Sequence, residues 1–331
     1  MEKIGKIKKI LTEEKIDGYV IPKNDEFFAE YISDHSDRLK YISDFSGSYG
    51  FALILKKENF LFVDGRYTLQ ANKQSGNFFN IITIPNRLPI DILKNKKLKI
   101  GFDPKLFTKK MLKTFFSQTD CNFLPLNKNL VDAIWIRKIK NSKKKFYILP
   151  KNSGNKNYKS KINRVVSELK KKKADFQFIT ASENNAWLLN IRGNDSRYTP
   201  IPFSYILIDK KKKINFFCDL KKISSSFKKK LKDIKFININ LTSQFLLKIR
   251  NKKFLIDKNT CSFFFEKIIS SNNKILNYND CIYFFKAVKE KKEIENIKQA
   301  HIYDGAALTK YLFWLKKNFL KKKITEISGE K

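Results

Sequence analysis

Side chains able to do acid–base, nucleophilic or metal chemistry near neutral pH are few in this chain. It has two histidines, the residue type best suited to shuttling protons and binding metals there. His35 lies in the polar turn Ser33-Asp34-His35-Ser36-Asp37, where two carboxylates and an imidazole could hold a cation or simply face water. His301 falls in a long helical stretch and reads as a packed or surface histidine. No His-Glu-x-x-His, Gly-x-Ser-x-Gly, phosphate-loop or Gly-x-Gly-x-x-Gly motif occurs. With 11 glycines in 331 residues, backbone cradles for phosphate are scarce. Cys121, Cys218, Cys261 and Cys281 are scattered and never form Cys-x-x-Cys, which argues against a zinc site or a disulfide scaffold and fits a reducing, cytoplasmic setting.

Three local clusters carry the remaining chemical potential. In Asp44-Phe45-Ser46-Gly47-Ser48-Tyr49-Gly50, small residues allow a tight turn into a strand, and either a structural turn or a ligand loop fits. In Asp64-Gly65-Arg66-Tyr67, Asp64 is placed to cap a following helix and Gly65 permits an unusual backbone angle. Arg66 is left as a guanidinium at a strand end, where α/β proteins put function. In Ala186-Trp187-Leu188-Leu189-Asn190-Ile191-Arg192-Gly193-Asn194-Asp195, Trp187 and the leucines read as core, and Arg192 to Asp195 as a turn linking domains.

The elements that must position these clusters alternate between strand and helix, which predicts an α/β layer fold. A helix over 3–16 carries Ile4, Ile7, Ile10 and Leu11 on one face. The strand Tyr19-Val20-Ile21 follows, then a short helix around Glu26 to Ile32. Paired strands come next over 49–55 and 60–63, with further alternation to Leu124. The pattern then repeats. A helix over 159–172 precedes Asp175-Phe176-Gln177-Phe178-Ile179, matching Asp17-Gly18-Tyr19-Val20-Ile21. Strands over 203–208 and 214–218 end in Asp219-Leu220-Lys221, the counterpart of Asp64-Gly65-Arg66. The expected domains are 1–135, a Lys/Asn/Gly/Pro-rich linker over 136–157, a second unit over 158–285, and a third region over 286–331. That region opens with one long helix over 290–319 and holds about 45 residues, too few to bury a core of its own.

Composition limits the function classes. The 42% hydrophobic and 14% aromatic content can fill real cores, and no apolar run approaches the roughly 18 residues of a membrane span. The amino terminus has no apolar segment of signal-peptide type. The formal charge is +37, yet of the 69 basic residues only eight are arginine, the better reader of phosphates and bases. The lysines form short runs along the whole chain among abundant Asn, Ile and Phe, as expected of an AT-rich genome. Specific nucleic-acid binding and membrane binding are therefore not expected, and the lysines read as solvated surface.

In their order along the chain, these clusters resemble the Xaa-Pro aminopeptidase (aminopeptidase P) family of metallopeptidases in its long, three-domain form. The residues concerned are Phe27 to Ile32, Asp44 to Ser48, Asp64 to Ala71, Asn129 to Trp135, Asn185 to Asp195, Ala300 to Leu308, and Ile324 to Ser328. The resemblance implies two similar α/β domains of the creatinase N-terminal, ribonuclease-H-like type, followed by the first helix of a truncated α+β pita-bread domain. In the family that last domain holds two divalent metals, usually manganese, through two Asp, one His and two Glu, and it removes the first residue from peptides with proline second. No residue here matches a metal ligand, and His301 is not one of the family's active-site histidines. The chain is therefore expected to bind no metal and to be inactive alone. The one site residue carried over is Arg66, which in the family's Asp-Gly-Arg loop reaches the bound peptide. Lys221 stands at the equivalent place in the second repeat and takes no role. Family members commonly dimerise, so a homodimer is the expected partner. A non-catalytic binding or dimer-forming module built from the same repeats is the alternative.

Overall fold

The computed structural model describes residues 2–137, 144–150, 153, 154 and 156–330. The first repeat runs α1 (Glu2–Glu13), β1 (Gly18–Pro22), α2 (Arg38–Ser43), β2 (Phe51–Leu55), β3 (Asn59–Asp64), α3 (Thr68–Ser75) and β4 (Asn80–Ile84). It continues through α4 (Pro89–Leu93), β5 (Lys99–Phe102), α5 (Lys109–Phe116), β6 (Asn122–Pro125) and α6 (Leu130–Ile134). The second runs β7 (Tyr147–Ile148), α7 (Tyr158–Lys171), β8 (Phe176–Ile179), α8 (Ser182–Leu189), β9 (Ile191–Arg192), β10 (Ser204–Asp209) and β11 (Ile214–Cys218). It ends with α9 (Ser225–Lys230), β12 (Ile234–Asn238), α10 (Thr242–Leu247), β13 (Lys253–Ile256), α11 (Phe263–Ser270), β14 (Lys274–Asn277) and α12 (Cys281–Ala287). The long α13 (Lys291–Asn318) and short α14 (Glu326–Glu330) follow.

Among the described residues each repeat forms one six-stranded sheet, in the orders β4-β3-β2-β1-β5-β6 and β12-β11-β10-β8-β13-β14. In each, an antiparallel three-strand meander is extended by parallel strands at both edges. This is the expected mixed α/β architecture, present twice. Side chains alternate across a strand, so each sheet feeds two cores. Tyr19, Ile21, Ala52, Ile54, Leu61 and Val63 pack beneath α1 with its Ile4, Ile7 and Leu11. Val20, Leu53, Phe60 and Phe62 face the opposite layer with Phe102 and Phe107. The second sheet splits the same way, with Ile206, Ile208 and Phe216 on one side and Tyr205, Leu207 and Phe217 on the other. Each fully buried Val, Leu, Ile or Phe among them contributes about 1.5–3 kcal/mol.

One side-chain device opens both repeats. The Asp17 carboxylate accepts from the Lys99 backbone N–H and the Lys56 ammonium, both at 2.9 Å. The Asp175 carboxylate accepts from the Lys253 N–H at 3.0 Å and the Lys210 ammonium at 2.7 Å. Each aspartate ties the first strand to the start of its parallel neighbour and to the hairpin beyond, and so sets the register.

Several local expectations need correction. Residues 26–32 are turn and loop, not helix. The Asp25 carboxylate accepts from the N–H groups of Phe27 and Ala29, holding a turn that competes with helical bonding. The helix of this region is α2, capped by Asp37. Gly65 has no left-handed backbone angle. Arg192 to Asp195 do not link domains. Ile191 and Arg192 pair with β7, and Asp195 pairs with the buried Lys222, all within the second repeat. Residues 146–149 of the expected linker also sit on that repeat, Phe146 in its core. The parts of the linker at 138–143, 151, 152 and 155 lie outside the described residues.

Candidate functional site

The strand–turn–helix around Arg66 is built from its own polar side chains. The Asp64 carboxylate at the end of β3 accepts the Arg66 N–H at 2.9 Å and closes a single 3-10 turn over Gly65–Tyr67, which leads straight into α3. The same carboxylate takes the guanidinium, with Nη2 at 2.6 Å from Oδ2 and Nε at 3.2 Å from both oxygens. This fork-to-fork pair orients the arginine while leaving 72% of its side chain exposed. The hydrogen bond and charge of Arg66 hold the Asp64 carboxyl below its ordinary range, and Asp64 in turn raises Arg66.

The first two chemical clusters form one surface. The Arg66 guanidinium lies 5.2 Å from the centre of the Tyr67 ring, and the Tyr67 hydroxyl shares a 2.6 Å hydrogen bond with Ser48. Ser46 is gripped from α3: its N–H donates to Gln74 Oε1 at 3.0 Å, and its Oγ accepts from Gln70 and Gln74. Beneath them Phe45 is fully buried, edge-on to Tyr67 at 5.8 Å. Gly47 is required because a Cβ there would strike the Phe45 ring, and Gly50 because its φ of +154° suits no side chain. The result is an outward guanidinium on a braced platform, suited to a carboxylate or a peptide carbonyl.

The other predicted residues disperse. Asp34 pairs with Lys40 at 3.2 Å, and Asp37 caps α2 and pairs with Lys23 at 2.6 Å. His35 is instead tied to the segment that follows α6, its carbonyl accepting from Arg137 Nε at 2.9 Å. Burial, then the positive charge of Arg137 and Arg38, pushes its imidazole below the ordinary range. His301 is exposed on α13. Lys221 is exposed, its N–H donating to Asp219 as Arg66 does to Asp64. The buried Cys218 and Cys281 thiols are pushed up to about 12, which makes them inert packing groups. Among the described residues no three His, Cys, Asp or Glu side chains gather closely enough to hold a metal. The donor set of the described residues does not fit a metal pair.

Sequence reading missed a cleft of about 670 Å³ between the two repeats. Its first wall carries the ionisable groups. Arg38, 5% exposed, is clamped by Glu26 at 2.6 Å and by Asp132 at 2.8 and 2.9 Å, and Arg137 also pairs with Asp132. The second wall, from Phe203, Tyr205, Ile239, Asn240, Thr242, Ser243 and Phe264, is neutral. The repeats are joined beside it by Phe27 stacked on Phe203 at 4.4 Å and by the Tyr205 hydroxyl donating to the Glu26 carbonyl at 2.8 Å. The only sequence signal was the concentration of charge near 25–38 and 132–137.

Two models of the creatinase/prolidase N-terminal domain match the chain, over residues 3–134 and 137–293. A probable Xaa-Pro aminopeptidase P of Pyrenophora teres is 29% identical, aligned to 99% of this chain and 53% of that protein. One from Laccaria bicolor is 30% identical, over 95% and 51%. The Xaa-Pro aminopeptidase 1 of Dictyostelium discoideum is 29% identical, over 97% and 54%. The chain thus spans about half the length of the curated relatives it matches. The crystal structure of an X-prolyl aminopeptidase from Caenorhabditis elegans, described as a cytosolic enzyme with a di-nuclear active site, superposes with a TM-score of 0.89 at 24% identity. It shares the fold over 99% of this chain and 58% of its own. With both halves matched by its models, the chain belongs to the creatinase/prolidase family and carries that family's N-terminal domain twice, in an arrangement similar along nearly its whole length to Xaa-Pro aminopeptidases.

Proposed function

We propose that these residues are the N-terminal, substrate-presenting part of a metal-dependent Xaa-Pro aminopeptidase, with Arg66 the side chain offered to a peptide that has proline second. The observation that carries this reading is the exposed Arg66, oriented by Asp64 on a platform braced from α3, in a chain aligned along nearly all its length with Xaa-Pro aminopeptidases. The metal pair, which we take to be manganese, then belongs to the half of the relatives that this chain does not align with. Cleavage would use a metal-activated water and metal stabilisation of the oxyanion, none of it supplied by the residues described here. On this reading the chain alone is inactive, works in the cytoplasm, and pairs with a second copy mainly through that other half.

The test is incubation of the purified chain with manganese and an Xaa-Pro peptide. No release of the first residue is expected, and metal-dependent release free of contaminants would contradict the reading. Reading the coding sequence past Lys331 distinguishes the non-catalytic alternative. Continuation into a segment with two Asp, one His and two Glu in family order supports the peptidase, whereas an immediate stop in an intact gene supports a module without catalysis.

A further inference from the structure

One cation of the cleft between the repeats has no ion-pair partner among the described residues, and this points to a ligand. On the charged wall Arg38 is paired with Glu26 and Asp132, and Arg137 with Asp132 and the His35 carbonyl. Lys105 differs. Its ammonium lies 5.3 Å from the centre of the Phe264 ring, and no carboxylate of the described residues comes within ion-pair distance of it. It stands at the seam where the Phe264 N–H donates to the Pro104 carbonyl at 2.9 Å, so both walls meet at its base. Across the cleft the side chains of Asn240 and Ser243 are donors without a hydrogen-bond partner among the described residues. Phe27, Phe203 and Phe264 supply apolar surface between.

An open ammonium, two idle neutral donors and aromatic walls suit an anion with an apolar body. The three carboxylates of the lining, Asp25, Glu26 and Asp132, would repel a doubly charged group such as phosphate. We propose that this cleft binds a small organic monocarboxylate, its carboxylate on Lys105, Asn240 and Ser243 and its apolar or aromatic body against Phe203 and Phe264. The site is distinct from the Arg66 surface and does not depend on the peptidase reading.

The test is calorimetric titration of the full chain with 3-phenylpropionate, its neutral amide, and inorganic phosphate, in the wild type and in Lys105→Met and Ser243→Ala. Lys105 and Ser243 both lie where substitution leaves the cores intact, and equal melting temperatures verify this. Saturable binding of the carboxylate is expected, weakened about tenfold or more in Lys105→Met, less in Ser243→Ala, and by a similar tenfold for the amide. Absence of saturable binding, equal affinity in Lys105→Met, or equal affinity for the amide would overturn the proposal. Phosphate binding as tightly as the carboxylate would overturn the assigned ligand class.

Discussion

Asp25 shows how one carboxylate can be held for geometry at a cost in charge. Its Oδ1 accepts from Phe27 and Ala29, while Oδ2 is buried with no partner among the described residues. Burial pushes this acid up to about 6. The folded state therefore holds its proton more tightly than the unfolded chain, so this group's contribution falls as pH rises from about 4 to about 6 and stays unfavourable above. Asp25→Asn keeps the Oδ1 acceptor and removes the charge. It should be more stable than the wild type at pH 7.5, by about 1–2 kcal/mol, with the difference shrinking as pH is lowered through 6 towards 4 in urea titrations. A constant difference with pH would show that the carboxyl titrates alike in the folded and the unfolded chain. Asp17 and Asp175 have the opposite sign: the Lys99 N–H and Lys56 lower the first, Lys210 and the Lys253 N–H the second. Their contribution is present above the ordinary aspartate range and is lost as pH falls below it.

At the scale of elements, α13 has no buried residue over 28 positions, whereas each of α1 to α12 buries at least one. Ile302, Leu308, Leu312 and Phe313 are each more than half exposed. A helix so placed has little tertiary packing to protect its amides. Hydrogen exchange over 295–318 should be faster by orders of magnitude than in β1 or β10, and a dye for exposed apolar surface should bind the chain and lose signal when 290–331 is removed. Protection in α13 matching that of the sheets would mean that its apolar face is covered in solution. The helix itself was legible in the sequence through its apolar spacing. The repeat was legible because strand alternation recurs after matching aspartates. The six-residue α2 was missed because Asp37 and its docking against α6 make it, not an apolar period of its own. The turn at 26–32 was misread because the Asp25 side chain, not the propensity of its neighbours, decides it. The Arg66 platform was half visible: Asp64 capping could be read, but the grip of Gln70 and Gln74 on Ser46 joins positions too far apart in sequence.

The whole molecule holds two sheets of one design, with no helix among the described residues long and apolar enough to cross a membrane. Side chains and backbone both contribute to the joint between the repeats. It includes the Tyr205–Glu26 hydrogen bond, the Phe27–Phe203 stack and the Phe263 N–H donating to the Phe107 carbonyl at 2.7 Å. Tyr205→Phe should cost about 1 kcal/mol in denaturant titration, and loosening should appear first in the cleft-lining loops. An unchanged midpoint would mean that water replaces the hydroxyl at no cost. The charge of +37 remains a property of the surface, with the ion pairs among the described residues, such as Lys56–Asp17 and Lys159–Asp233, engaging a minority of the 69 cations.

The central claim is that Arg66 meets the peptide. It is tested most directly by joining this chain to a metal-bearing catalytic half and measuring kcat/KM for an Xaa-Pro peptide in the wild type and in Arg66→Ala. A charged hydrogen bond lost from the bound peptide predicts a fall of about 10- to 100-fold, with the melting temperature unchanged because the side chain is exposed. Equal kcat/KM in the two proteins would contradict the account.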